Sequence, residues 1–142
     1  MNRIGIIGAM DEEVDILVDI MDIKETIEKA SLKFYKGTLE GKDIVLVRCG
    51  IGKVNSALCA QILISEFNVD AVVNTGVAGA LHSELDVQDI VISTDAIQYD
   101  VDTTAFGDPK GTIPRMESSV FVADEKLINA AYESSIEESK SN

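Results

Sequence analysis

Near its N-terminus the chain reads Ile4-Gly5-Ile6-Ile7-Gly8-Ala9-Met10-Asp11-Glu12-Glu13-Val14. The short apolar run over residues 4–8 is typical of a buried strand. Apolar residues then recur at the i, i+3, i+4 and i+7 spacing of one helix face, at Val14, Leu17, Val18 and Met21. The stretch therefore predicts a strand, a tight turn and a helix.

Further along, strand patterns alternate with helix patterns, which favours an α/β sheet. The apolar-rich runs 32–39 and 43–48 predict an antiparallel hairpin, and strands are also predicted over 70–74 and 89–96. Residues 53–67 carry apolar side chains around much of the helical wheel, so we expect a largely buried helix there.

The second half of the chain contains one long irregular region. Residues 99–122 include Gly107, Pro109, Gly111 and Pro114, and so many helix and strand breakers predict a long functional loop. A last helix is predicted from Asp124, its N-cap, to about residue 137, followed by a frayed polar tail over 138–142. Because no repeat or linker interrupts the chain, 1–142 is interpreted as a single domain.

Charge and composition restrict the possible partners. Twelve basic and 25 acidic residues give a net charge of −13, which repels nucleic acid and anionic membrane surfaces. The absence of a signal or membrane-spanning pattern predicts a cytoplasmic protein. The isolated Cys49 and Cys59 and the single His82 argue against a metal site and a disulfide, so carboxylates are favoured for proton transfer.

The glycine turn and the acidic triplet after it are the first candidate site. Backbone N–H groups at a strand-to-helix turn can hold a polar ligand, but the Gly-x-x-Gly spacing argues against a dinucleotide fingerprint. Acidic residues also favour a helix N-terminus without any catalytic role. Glu12 falls on the wetter side of the wheel, whereas Glu13 precedes Leu17 by four residues, at the border of the buried face. Glu13 is therefore best placed to face a cleft.

Residues 5–14 resemble the opening signature of the 5′-methylthioadenosine/S-adenosylhomocysteine nucleosidases of the nucleoside phosphorylase superfamily. Three further blocks are similar to that family in the same order: Cys49-Gly50-Ile51-Gly52-Lys53-Val54-Asn55, Asn74-Thr75-Gly76-Val77-Ala78-Gly79 and Thr104-Ala105-Phe106-Gly107. The resemblance implies a three-layer α/β/α fold with a central mixed sheet flanked by helices, of which this chain is the N-terminal part.

The resemblance also implies residue roles. Glu13 would activate the water that releases adenine from methylthioadenosine or S-adenosylhomocysteine in methionine salvage, without metal or organic cofactor. The ribose and purine pocket would be lined by Ala9, Met10, Ile51, Val77, Ala78 and Gly79. In a homodimer, Phe106 and Pro114 would cap the alkylthio pocket of the neighbouring subunit.

Alternative interpretations of these residues stay open. Ile51 and Val77 equally suit an ordinary core, and Gly76 and Gly79 suit a purely backbone role. Val77 also departs from the serine often found in the family. This removes a hydroxyl from beside the substrate and allows a small change of substrate preference.

Two other functions are weighed against hydrolysis. Phosphorolysis would require arginines around a phosphate, whereas this chain has Asn74 and the acidic triplet where the related phosphorylases carry arginines. The family's later blocks match nothing up to Asn142: the Met-Glu pair that holds the ribose hydroxyls, the aromatic residue that stacks on adenine and the aspartate that protonates it. The chain alone is therefore expected to be inactive, and an inert nucleoside-binding or assembly module is the alternative.

Overall fold

The computed structural model describes residues 2–141, with side chains described as far as Glu137. The chain divides into two compact units, Met1–Gly79 and Ala80–Asn142. No helix within residues 2–141 has both the length and the apolar character needed to cross a bilayer.

The first unit contains a mixed five-stranded sheet. Its elements are, in chain order, β1 (Arg3–Gly8), α1 (Asp11–Ile20), β2 (Asp22–Lys29), β3 (Leu32–Leu39), β4 (Lys42–Arg48), α2 (Lys53–Phe67) and β5 (Ala71–Asn74). The strand order is β2-β3-β4-β1-β5. β1 is parallel to both of its neighbours, whereas β2, β3 and β4 form an antiparallel meander. The predicted mixed sheet is confirmed, and so is the opening strand, turn and helix.

Alternate residues of the strands supply two cores, one on each face of the sheet. On one face, α1 buries Val14 and Met21 against Ile44 and Leu46. On the other face, the α2 side chains of Cys59, Leu63 and Phe67 belong to a cluster with Ile7, Phe34, Val45, Val47 and Cys49. This arrangement places one helix on each side of the sheet, as the three-layer fold requires.

α2 is less buried than its composition predicts. Only one face, with Cys59, Leu63 and Phe67, is buried. On the remaining surface Val54 is 82% exposed, Leu58 45% and Ile64 54%. The expectation of a largely buried helix was wrong because one sheet face can cover only one side of a helix.

β2 was not predicted. Its apolar residues Ile23 and Ile27 lie four apart and would share one strand face in a regular pleat. A register shift between Ile23 and Glu25 interrupts the pairing with β3. Ile23 therefore packs on the α1 side of the sheet and Ile27 on the α2 side. Only Ile23 and Ile27 of its eight residues are apolar, so the stretch lacks the run of alternating apolar residues by which a strand is recognised.

The second unit contains β6 (Asp95–Ile97), a 3₁₀ turn (Thr104–Phe106), β7 (Val120–Val122) and α3 (Glu125–Ser141). β6 and β7 are antiparallel. The strand predicted over 89–96 was wrong except for its last two residues, because β-branched composition makes a strand only where a partner strand pairs with it.

The region predicted as a loop, 99–122, contains the 3₁₀ turn and ends in β7. The Asp124 carboxylate accepts hydrogen bonds from the N–H groups of Lys126 (2.9 Å) and Leu127 (3.1 Å), so the predicted N-cap of α3 is confirmed. α3 continues to Ser141, past the end predicted at about residue 137, and the side chains of the tail predicted over 138–142 lie outside the described residues.

Candidate functional site

The carboxyl ends of three neighbouring parallel strands carry most of the residues predicted for the site. β1, β4 and β5 end side by side, with β1 in the middle. The Cys49 N–H donates to the Gly8 carbonyl (2.9 Å) and the Thr75 N–H to the Ile7 carbonyl (3.0 Å), which joins the three loops that follow the strands. Such an edge is where open α/β sheets bind ligands.

The Glu13 carboxylate connects two of these loops. Its Oε2 accepts hydrogen bonds from the N–H groups of Ala9 (2.6 Å) and Met10 (3.1 Å), at the start of α1. Its Oε1 accepts one from the N–H of Val77 (3.0 Å), which lies 64 residues away in sequence. Glu13 is partly buried, whereas Asp11 and Glu12 are exposed, as the helical wheel predicts.

These donors keep Glu13 ionised. The backbone N–H of Val77, followed by that of Ala9, lowers the pKa of the Glu13 carboxyl below its ordinary value of 4.5, and Met10 contributes less. Partial burial acts in the opposite direction but does not reverse the shift. At neutral pH the group is therefore an anion that is held in position and can accept a proton or attract a developing positive charge.

Gly76 leaves room for this carboxylate, Gly8 leaves room for Val14 and the Glu13 Cβ, and sequence reasoning missed this packing role. A Cβ on Gly76 would lie 2.6 Å from Glu13 Cδ and 2.9 Å from Oε2, and closer still to Oε1. A Cβ on Gly8 would lie 2.5 Å from Val14 Cγ1 and 3.2 Å from Glu13 Cβ. Neither glycine has a positive φ, so the purely backbone explanation considered for Gly76 does not hold. No sequence pattern signals the role, because it depends on tertiary contact.

The other residues predicted in the first unit lie in the same loops. Ala9 and Met10 follow β1, Ile51 follows β4, and Val77, Ala78 and Gly79 follow β5. Ile51 is 75% exposed and Val77 is 80% exposed, so neither is an ordinary core residue. The Ile51 carbonyl accepts a hydrogen bond from the Asn55 side-chain amide (2.8 Å), which steadies the turn before α2.

Phe106 and Pro114 belong to the second unit. Phe106 ends the 3₁₀ turn and is 88% exposed, and Pro114 is exposed in a turn. The reach of both residues into a neighbouring subunit stays a prediction.

Two surface cavities in the first unit lie away from the Glu13 carboxylate. One, of about 570 Å³, is lined by Lys24, Glu25, Lys36, Gly37, Thr38 and Asp43. The other, of about 260 Å³, lies between α1 and the meander and includes Asp11 and Arg48. Glu13 lines neither of them, so the nucleoside pocket around it also stays a prediction.

Comparison with known proteins places the chain in a family. The model of the phosphorylase superfamily matches residues 3–140. The 5′-methylthioadenosine/S-adenosylhomocysteine nucleosidase of Staphylococcus haemolyticus is 47% identical over 127 residues, which cover 89% of this chain and 55% of that protein.

Solved structures agree with this match. The Neisseria meningitidis nucleosidase, in complex with methylthio-immucillin-A, aligns with a TM-score of 0.90 at 39% identity, over 95% of this chain and 58% of the other. The Colwellia psychrerythraea enzyme, in complex with adenine, aligns with a TM-score of 0.87 at 45% identity, over 92% and 54%. The chain thus spans little more than half the length of these relatives. It belongs to the phosphorylase superfamily, and its predicted likeness to the methylthioadenosine/S-adenosylhomocysteine nucleosidases is confirmed.

Proposed function

We propose that this chain supplies the water-activating part of a nucleosidase site that releases adenine from 5′-methylthioadenosine and S-adenosylhomocysteine. The observation that carries the proposal is the Glu13 carboxylate, fixed by the N–H groups of Ala9, Met10 and Val77 at the carboxyl edge of the sheet. Relatives with nucleosidase names, two of them solved with adenine or an inhibitor, support this choice of substrate.

The carboxylate suits hydrolysis in two ways. It can orient a water molecule towards the ribosyl C1′ and take its proton as the new C–O bond forms and the bond to adenine breaks. Its negative charge also stabilises the positive charge that develops on the sugar. The departing adenine needs a proton from a second acidic group, as in inverting glycoside cleavage, and we expect that group in the part of the relatives' length that this chain does not cover.

The same group opposes phosphorolysis. A fixed anion next to the acidic Asp11 and Glu12 would repel a phosphate dianion. Arg48, the cation at the end of β4, is paired with Asp11 at 2.9 Å. Water is therefore the nucleophile that this edge of the sheet favours.

The proposal is tested by adenine release from methylthioadenosine, with the full protein and its Glu13→Gln variant. Glutamine cannot accept a proton and carries no charge, so turnover should fall by about 10²- to 10⁴-fold. Inorganic phosphate should not accelerate adenine release by the original protein. Near-normal turnover in Glu13→Gln, or a requirement for phosphate, would refute the assignment.

Glu12→Gln is the matched control. Glu12 is the preceding residue, undergoes the same chemical change and has an exposed side chain. Its turnover should stay within about twofold of the original, because an exposed group without contact to the site contributes little.

A comparison of residues 1–142 with the full protein distinguishes the enzyme from the binding-module alternative. We propose that this chain by itself binds methylthioadenosine without releasing adenine, whereas the full protein releases it, as calorimetry and an adenine assay would measure. Binding without release by both would support the inert module. Turnover by the 142-residue chain would contradict the assignment of the second acid to another segment. Homodimerisation, with Phe106 and Pro114 at the neighbouring site, and a cytoplasmic location remain predictions.

A further inference from the structure

We infer that Gly76 is a positioning residue for Glu13: a residue without a side chain at position 76 is required for the carboxylate to lie against the Val77 N–H. This inference rests on the proposed function, because the importance of the position of Glu13 depends on its role with water. It extends that function from the base itself to the loop after β5.

The geometry is specific to this pair of residues. The three atoms nearest to a Cβ built on Gly76 all belong to the Glu13 carboxylate, at 2.6 Å for Cδ, 2.9 Å for Oε2 and less for Oε1. Real Cβ atoms essentially never lie closer than 3.0 Å to another heavy atom. Because φ at Gly76 is not positive, the backbone itself would accept an alanine. The steric demand at this position therefore comes from Glu13.

The carboxylate can move away only at a cost. Its two oxygens accept three backbone hydrogen bonds, from loops that are themselves held by the Thr75 N–H on the Ile7 carbonyl. A methyl group at position 76 would separate Oε1 from the Val77 N–H. That N–H contributes most to the lowered pKa of Glu13. Displacements of about 1 Å at a reacting centre can reduce rates about 10²-fold.

The experiment compares Gly76→Ala with the original full protein. We expect kcat for adenine release to fall about 10- to 100-fold while KM changes less than about threefold, because binding contacts are kept but the base is misplaced. In parallel, NMR titration of the ¹³C-labelled Glu13 carboxyl should show its pKa rising towards 4.5. A kcat and a Glu13 pKa both unchanged in Gly76→Ala would overturn the inference.

Gly79→Ala is the control for the titration. It lies in the same loop, but a Cβ there would meet nothing within 4 Å. The Glu13 pKa should stay at its original value in this variant, and an equal rise in both variants would overturn the inference.

A stability measurement keeps the test decisive if Gly76→Ala folds poorly. The same substitution is made in a Glu13→Ala background, where the clashing carboxylate is gone, and unfolding midpoints are compared in a double-mutant cycle. We expect Gly76→Ala to lower the midpoint when Glu13 is present and to leave it nearly unchanged when Ala occupies position 13. Equal losses in both backgrounds would overturn the inference. If the original protein releases no adenine, the proposed function fails, whereas the titration and the cycle still decide the role of Gly76.

Discussion

Glu13 combines firm positioning with weak basicity. Its three backbone donors favour the anion, so the pKa of the group lies below 4.5. A carboxylate of this kind gains little driving force for early proton abstraction. It is better suited to hold a water molecule and to face a sugar that becomes cationic before the new bond is complete.

The acid limb of activity should reflect the ionisation of Glu13. Because the pKa of Glu13 is lowered, the group stays ionised as the pH falls and is protonated only below 4.5. The kcat/KM for adenine release, which reports groups of the free protein, should therefore decline on the acid side only below pH 4.5. An acid limb that is centred above pH 4.5 and moves in Gly76→Ala would contradict the lowered pKa of Glu13.

Among the elements, α2 packs against the sheet through one face only. Cys59, Leu63 and Phe67 recur every four residues and form its buried stripe. Leu63 is fully buried and lies above Gly5 of β1, where an added Cβ would be 2.9 Å from its Cδ1. The close approach of α2 to β1 therefore depends on both residues.

A pair of neighbouring substitutions tests this stripe. Leu63→Ala should lower the free energy of unfolding by about 2–5 kcal/mol, because it leaves a cavity between helix and sheet. Ile64→Ala, one residue on and 54% exposed, should change it by less than about 0.5 kcal/mol. Urea denaturation of each variant measures the difference, and similar losses in both variants would show that α2 does not pack as described.

Across the first unit, carboxylates connect segments that are distant in sequence. Asp70 accepts hydrogen bonds from the N–H groups of Asn2 (2.6 Å) and Arg3 (2.9 Å). The Arg3 guanidinium in turn contacts Asp43 (2.8 Å) and donates to the Phe67 carbonyl at the end of α2 (2.8 Å). Together with the bond between Glu13 and Val77, these contacts secure both ends of β1.

Acid should therefore weaken the whole fold. The N–H of Arg3, and then that of Asn2, lowers the pKa of Asp70, as Val77 does for Glu13. Folded-state pKa values below those of the unfolded chain give stability that is complete above the unfolded values and is lost as the pH falls through the folded ones.

We expect the free energy of unfolding of the chain to decrease as the pH falls below about 5 and passes through the lowered pKa values of Glu13 and Asp70. Urea denaturation at each pH measures it. Asp70→Asn should flatten the profile, because it removes one of the carboxyls whose pKa values folding lowers. The same slope in Asp70→Asn and the original chain would exclude this contribution.

Local pattern predicted much of the first unit and little of the second. The bounds of β3 and α2 follow from their apolar runs, and Glu13 was placed at the edge of a buried face by helical spacing alone. β2 was missed because only Ile23 and Ile27 of its eight residues are apolar, and its bulge sends them to opposite faces of the sheet. The strand over 89–96 was overpredicted because β-branched residues do not themselves supply a pairing partner.

The opening strand, turn and helix, the family and the partly buried position of Glu13 beside exposed acidic neighbours follow from the order of residues alone. Spacing along one helix and residue-by-residue similarity can both be read from the order of residues in the chain. Three features follow only from the folded chain: the Val77 N–H donates to the Glu13 carboxylate, Gly76 makes room for it, and α2 buries a single face. Each of these is a contact between residues far apart in sequence, created only when the strands align side by side.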